Sequence, residues 1–372
     1  MSSSNLYRPL RLGKYELKHR VVMAPLTRLF TDENHVQPPL AVEYYAQRAS
    51  EGGLVIAEAT VVSLELGGGK HTPGIWTRQQ IARWREITDA VHANGAHIFL
   101  SIDSLEPLAD AALSADNRGR QSSEINDGLS LKRAFVQAAR NAMAAGFDGV
   151  EVGANGYFIY QSLHRHTDKY GGHVESRVRF ALEVTTAIAD AIGADQVGFR
   201  MNPSSAFRMS SLAPEFSCLT QKLRELKLAY IHIIKSHAIT NLECDKHEGI
   251  KPFLAIWGQS SPVLIAGDFT PDSAKSALDT EYPNSDVALV FGEVNRLWFF
   301  AMSGTARGKH HNINCSSRNK DYIVLVPTVL NPASMGKHTT SRCLFSNFRG
   351  YSFNKHRDSN GLFSDDNTLN RS

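Results

Sequence analysis

Eight short apolar runs recur between residues 19 and 292, and stretches with helical spacing separate them. The runs are His19–Thr27, Gly53–Thr60, Ala96–Ile102, Gly149–Tyr157, Val197–Pro203, Tyr230–Ile234, Pro262–Phe269 and Asp286–Gly292. Each is short enough for a buried strand, and most are apolar without alternation, as a parallel sheet covered on both faces requires. Between them the pattern changes to period 3.6. A segment after Pro38-Pro39 runs through Tyr44, Tyr45 and Arg48, and Thr77–Asn94 carries Ile81, Trp84 and Ile87 on one stripe. Further helices are expected at about 131–145, 174–192, 214–226 and 249–257, with a short one capped at Thr270-Pro-Asp-Ser273. Strands alternating with amphipathic helices in this number predict a closed (β/α)8 TIM barrel. No G-x-G-x-x-G turn follows the first run, which counts against an open dinucleotide-binding sheet.

In such a barrel the chemistry sits at the C-terminal ends of the strands. The run Gly149-Val-Glu-Val-Gly-Ala-Asn-Gly-Tyr157 ends in small and polar residues and is the strongest candidate strand end. By spacing alone, Tyr157 also reads as an interface aromatic and Asn155 as a turn residue. Arg200, after Gly198-Phe199, reads equally as a structural ion-pair partner.

Composition narrows the classes. A chain of 372 residues with 42% hydrophobic content can bury a large core. The four cysteines, Cys218, Cys244, Cys315 and Cys343, form no C-x-x-C pair, which argues against a zinc site or a disulfide framework. The start, Met1-Ser-Ser-Ser-Asn5, has neither a basic nor an apolar leader segment, and no run approaches the ~20 apolar residues of a membrane span. A reduced, cytoplasmic setting without membrane contact is expected. The net charge of +3 conceals a division: residues 304–372 hold ten Lys/Arg and four Asp/Glu, so the preceding body is mildly acidic. No basic stripe with interleaved aromatics crosses the body, so no nucleic-acid partner is expected. Oligomeric state leaves no mark.

After Gly292 the alternation stops. Glu293–Met302 is apolar without a clean helical stripe, and the following residues are dominated by Ser, Asn, Arg and His. The expected organisation is a barrel over residues 1–300, with an incomplete eighth unit, and a basic low-order tail over 301–372.

Several stretches, taken together and in order, resemble the old yellow enzyme family of FMN-dependent ene-reductases. They are Asn5-Leu-Tyr-Arg-Pro-Leu10, Ala24-Pro-Leu-Thr-Arg28, Tyr44-Tyr-Ala-Gln-Arg48, Pro73-Gly-Ile-Trp76, Gly146-Phe-Asp-Gly-Val-Glu151 with Ala154-Asn-Gly-Tyr157, Thr167-Asp-Lys-Tyr-Gly-Gly172 with Arg177 and Phe180, and Ala266-Gly-Asp-Phe269. The similarity spans about residues 5–292. It is similar in flavour to the fungal secondary-metabolism branch that includes the chanoclavine-aldehyde reductase/isomerase of ergot alkaloid pathways. The resemblance implies FMN at the barrel mouth, reduction by NADPH or NADH, and an α,β-unsaturated aldehyde or ketone as the substrate. It implies Tyr157 as proton donor and Asn155 as one ligand of the substrate carbonyl. For the flavin it implies Pro25 and Thr27 at the end of the first strand, and Arg200 near the pyrimidine ring. Gly267 and Gly292 would bring backbone amides to the phosphate.

Three departures bear on activity. The family pattern has a His between the positions of Val152 and Gly153, and here it is missing. Loss of one charge-stabilising donor costs about 10²–10³-fold in rate. Ser101, with Asp103 beyond it, stands where the family has a flavin-binding Gln. Glu293 follows Gly292 where the family has an Arg, which sets a negative charge against a phosphate. A shifted reading frame or a retained intron after Gly292 would produce such a break. Three readings stay open: an active ene-reductase, a degenerate barrel with weak or no FMN binding, and an isomerase or epimerase needing only proton transfer at Tyr157.

Overall fold

The structure is a computed structural model that describes residues 4–64, 71–103, 128–154, 170, 172–203, 213–235 and 249–292. A hairpin of β1 (Leu10–Leu12) and β2 (Tyr15–Leu17) opens the chain. Then come β3 (Val21–Met23), α1 (Leu40–Ala46), β4 (Leu54–Val61), α2 (Arg78–Ala93), β5 (His97–Asp103), α3 (Gly128–Ala144) and β6 (Gly149–Ala154). They are followed by α4 (Val174–Ile192), β7 (Val197–Met201), α5 (Ala213–Glu225), β8 (Tyr230–Ile234), α6 (Lys251–Trp257), β9 (Val263–Ala266), α7 (Pro271–Ser276) and β10 (Val287–Phe291). Strands β3 to β10 close into a parallel barrel in the order β10-β3-β4-β5-β6-β7-β8-β9. All eight expected strands are present, and the closed barrel is the expected one.

The absence of alternation in the sequence has a direct cause. Outward residues such as Val55, Ile98, Leu100, Val150, Phe199 and Ile231 join one apolar cluster with the helices. Inward residues, among them Val22, Leu54, Ile56, Phe99, Tyr230, Leu264 and Val290, form a second. Both faces leave water, so β4, β8 and β10 are buried at every position.

Leu10, Leu12 and Leu17 belong to the inner cluster, so the β1–β2 hairpin plugs the end at which the strands begin. The sequence reading missed this hairpin because three-residue strands are too short to show a period. Its turn uses Gly13 at φ +55°, where an added Cβ would lie 1.9 Å from the Asp195 carbonyl oxygen. Helix α2 starts at a capping box between Thr77 and Gln80, and α7 at one between Thr270 and Ser273. The second helix then runs into a π-helical turn at Ala277–Glu281, which nothing in the sequence announced. Asn5 holds that turn, its backbone N–H donating to Asp279 Oδ1 at 2.7 Å and its amide to the Leu278 carbonyl at 2.9 Å. No described helix is long and apolar enough to cross a membrane. Glu293 and the proposed tail, residues 301–372, lie outside the described residues.

Candidate active site

Five of the seven site residues expected from the sequence fall at strand ends on the side opposite the hairpin plug. Pro25, buried, and Thr27, exposed, follow β3; Arg200 is the penultimate residue of β7; Gly267 follows β9 and Gly292 follows β10. The Ala24 amide donates to the Phe291 carbonyl at 2.9 Å, so the ends carrying Pro25 and Gly292 are neighbours. Among the described residues, an added Cβ on Gly292 would meet only Leu26 Cδ2, at 3.9 Å. Gly267 differs, since the Lys235 side chain lies 3.0 Å from where its Cβ would be. Asn155 and Tyr157, immediately beyond β6, lie outside the described residues, as do His164 and His166.

Inside the barrel a polar layer replaces the apolar one towards this end. Register sets Ser101 beside Glu151, Glu151 beside Gly198, and Gly198 beside Tyr230; one step further, Gly153 sits beside Arg200 and Arg200 beside His232. Glu151, Tyr230 and His232 are fully buried. Glu151 Oε2 accepts from the Tyr230 hydroxyl at 3.1 Å and pairs with His232 Nδ1 at 2.8 Å. Gly198 makes this possible, because a Cβ there would lie 2.1 Å from the Tyr230 ring. Burial pushes His232 below the ordinary imidazole pKa against the opposing pull of Glu151, and the contact to a carboxylate oxygen makes Nδ1 the donor. Burial, reinforced by Glu151, raises the Tyr230 phenol well above its usual value.

Arg200 is half-buried, and its Nε is buried with no hydrogen-bond partner among the described residues. Gly153 is filled from the other side. A Cβ on it would lie 2.8 Å from Asp103 Oδ2, so the buried Asp103 carboxylate covers the slot from β5.

Glu58, on β4, is a site residue the sequence reading passed over. Its carboxylate accepts from the Arg28 amide at 3.0 Å, the Gln37 side chain at 2.8 Å and the Tyr45 hydroxyl at 3.2 Å. It thereby fixes the segment that carries Pro25 and Thr27. Burial raises its pKa, opposed by these hydrogen bonds. The available signal was a lone ionisable residue inside an apolar strand; Glu58, Glu151 and His232 all share it.

A closed parallel barrel with a polar mouth, holding an arginine whose Nε has no partner among the described residues, defines a class of ligand-binding barrels, and comparison with known proteins makes the class specific. Residues 5–289 match the family described as NADH:flavin oxidoreductase / NADH oxidase. The chain is 43% identical over 324 residues to an NADP-dependent oxidoreductase, lnbE, of Aspergillus flavus, covering 78% of this chain and 86% of that one. It is 39% identical over 315 residues to chanoclavine-I aldehyde reductase fgaOx3 of Penicillium roqueforti, covering 78% and 85%. It is 38% identical over 327 residues to a protein of Epichloe festucae var. lolii named "Probable inactive reductase easA", covering 78% and 85%. Among solved structures, Old Yellow Enzyme from Pichia sp. matches with a TM-score of 0.71 at 28% identity, over 81% of this chain and 87% of that one. The chain belongs to the NADH:flavin oxidoreductase / NADH oxidase family, the old yellow enzymes. FMN is the flavin of this family, and a reduced nicotinamide nucleotide is its electron source.

The described residues fit FMN in part. Arg200 offers a buried Nε without a partner among the described residues to an electron-rich ring edge, and Gly292 has no described side chain closer than 3.9 Å to where its Cβ would be. At Gly267 the Lys235 side chain lies against that position.

Proposed function

We propose that the protein is an FMN-dependent NAD(P)H oxidoreductase that reduces or isomerises the C=C bond of an α,β-unsaturated aldehyde or ketone, in fungal alkaloid or other secondary metabolism. The observation that carries this reading is Arg200, a cation at the barrel mouth whose Nε has no partner within the described chain. When bound, FMN supplies hydride exchange between the nicotinamide and the carbon–carbon double bond. The chain supplies the rest. Arg200 donates to the flavin pyrimidine, Pro25 and Thr27 border the ring, and the amides at Gly267 and Gly292 take the phosphate. Asn155 holds the substrate carbonyl oxygen, and Tyr157 delivers a proton to the α-carbon. The partner is a small carbonyl compound, and the setting is cytoplasmic.

Purified protein titrated with FMN tests the reading. A yellow protein bleached by NADPH without oxygen and restored by an enal supports it. Colourless protein that takes up no FMN at micromolar concentration sinks it.

A second reading, a barrel with impaired chemistry, is favoured by one observation: the Asp103 carboxylate covers Gly153, next to the missing imidazole. Hydride addition to the conjugated C=C bond builds enolate-like negative charge on the carbonyl oxygen, and a carboxylate there opposes what a donor would stabilise. Normal bleaching by NADPH with little restoration by the enal distinguishes this reading from the first.

A further inference from the structure

Glu151, Tyr230 and His232 have no part in the function proposed above, yet they form a fully buried, hydrogen-bonded polar group inside the barrel. A carboxylate taken wholly out of water is costly unless its charge is balanced. Glu151 Oε2 has two donors, but Oε1 has none, and His232 Nε2 is also without a partner. Of the two donors to Oε2, Tyr230 is a phenol, and burial disfavours the charged form of His232. A cation close to the carboxylate without touching it then serves to balance its charge.

Arg200 meets this requirement. Register sets it beside His232 on β8 and beside Gly153 on β6, two residues beyond Glu151 and on the same inward face. Its charge acts on both His232 and Tyr230, the two groups that hold Glu151. Glu151 and Tyr230 thus share one inward level, and His232 and Arg200 share the next one towards the mouth.

We propose that Glu151 is a positioning residue, a buried counter-charge held by Tyr230 and His232 that fixes Arg200 at the barrel mouth and offsets part of its field. The proposal rests on the reading that Arg200 faces bound FMN. A reduced flavin carries more negative charge than an oxidised one, so Arg200 favours reduction and Glu151 opposes it. Glu151 thereby sets the flavin potential lower than Arg200 alone would give.

Two measurements on the full-length protein test this. The first is the midpoint potential of bound FMN. Glu151→Gln keeps a carbonyl acceptor for both donors and removes the charge, so the potential moves to a more positive value. Arg200→Met moves it the opposite way and loosens FMN about tenfold or more. An unchanged or more negative potential in Glu151→Gln overturns the proposal. The second is a melting cycle on flavin-free protein with Glu151→Gln, Arg200→Met and the double variant. Arg200→Met strands a buried charge and loses several degrees, and adding Glu151→Gln recovers at least half of that loss. Additive shifts overturn the proposal. Protein that takes up no FMN defeats the functional reading, and the melting cycle still decides the coupling.

Discussion

Gly198 on β7 and Gly153 on β6 stand one inward level apart, and each leaves space that a neighbouring strand's side chain fills. At Gly198 the occupant is a rigid ring. Gly198→Ala sets a methyl 2.1 Å from the Tyr230 ring, which cannot rotate away without losing its bond to Glu151. Overpacking with loss of a buried hydrogen bond costs about 3 kcal/mol, read as a lower denaturation midpoint. A midpoint equal to wild type contradicts the packing described. At Gly153 the occupant is the Asp103 carboxylate, so the chemistry responds as well as the packing. Under the impaired reading, Asp103→Asn speeds restoration of the bleached flavin by an enal, because it removes a charge from the side where the carbonyl becomes negative. Unchanged or slower restoration argues that Asp103 is not the obstacle. Tyr157→Phe slows the same step by about 10²–10⁴-fold and leaves bleaching by NADPH unaltered. Equal losses in both steps mean that Tyr157 is not the proton donor. Arg200, Pro25 and Gly292 were legible at this scale because each ends a recognisable strand. Glu58, Glu151 and His232 were not, since their partners come from other segments of the chain.

Among the elements, the junction of α2, β5 and β6 is fastened by one carboxylate. Asp148, just before β6, pairs with His92 Nε2 in the last turn of α2 at 2.9 Å and accepts from the Ile98 amide on β5 at 2.7 Å. Burial pushes Asp148 up, but hydrogen bonds from His92, His97 and the Ile98 amide outweigh it and hold it well below the usual carboxylate range. The bond from Asp148 raises His92 above the ordinary imidazole value, against burial. A depressed carboxylate stabilises the fold above its unfolded pKa, about 3.9, and loses that contribution as pH falls below it. A raised imidazole contributes fully below about 6.5 and loses its share as pH rises through the folded value. The junction is therefore strongest between about pH 4 and 6.5. Unfolding free energies of wild type and Asp148→Asn compared across pH should draw together as pH falls from about 4 towards the strongly depressed folded pKa of Asp148, and a gap that does not narrow over that range contradicts this account. Helix α2 itself was legible because Ile81, Trp84 and Ile87 recur at helical spacing. The β1–β2 hairpin and the π-helical turn were not, being defined by the surfaces they meet rather than by any period of their own.

For the whole molecule, the family match stops at residue 289, close to where the strand–helix alternation ends at Gly292. The division proposed from the sequence, a barrel over 1–300 and a basic tail over 301–372, predicts that limited proteolysis removes the tail and leaves melting unchanged. A tail that resists protease, or a barrel that melts lower without it, contradicts the division. The sequence by itself determined the eight strands, their order and the strand ends where Pro25, Thr27, Arg200, Gly267 and Gly292 stand. It could do so because burial on both faces leaves an apolar run that any reader of the chain can see. Only the tertiary structure decided which residue on each strand points inward and what it meets there. Glu151 reaches Tyr230 and His232 across 79 and 81 residues of chain, and Asp103 covers Gly153 from another strand. Those contacts depend on barrel closure and register, which fix inward neighbours across strands and leave no trace in local spacing.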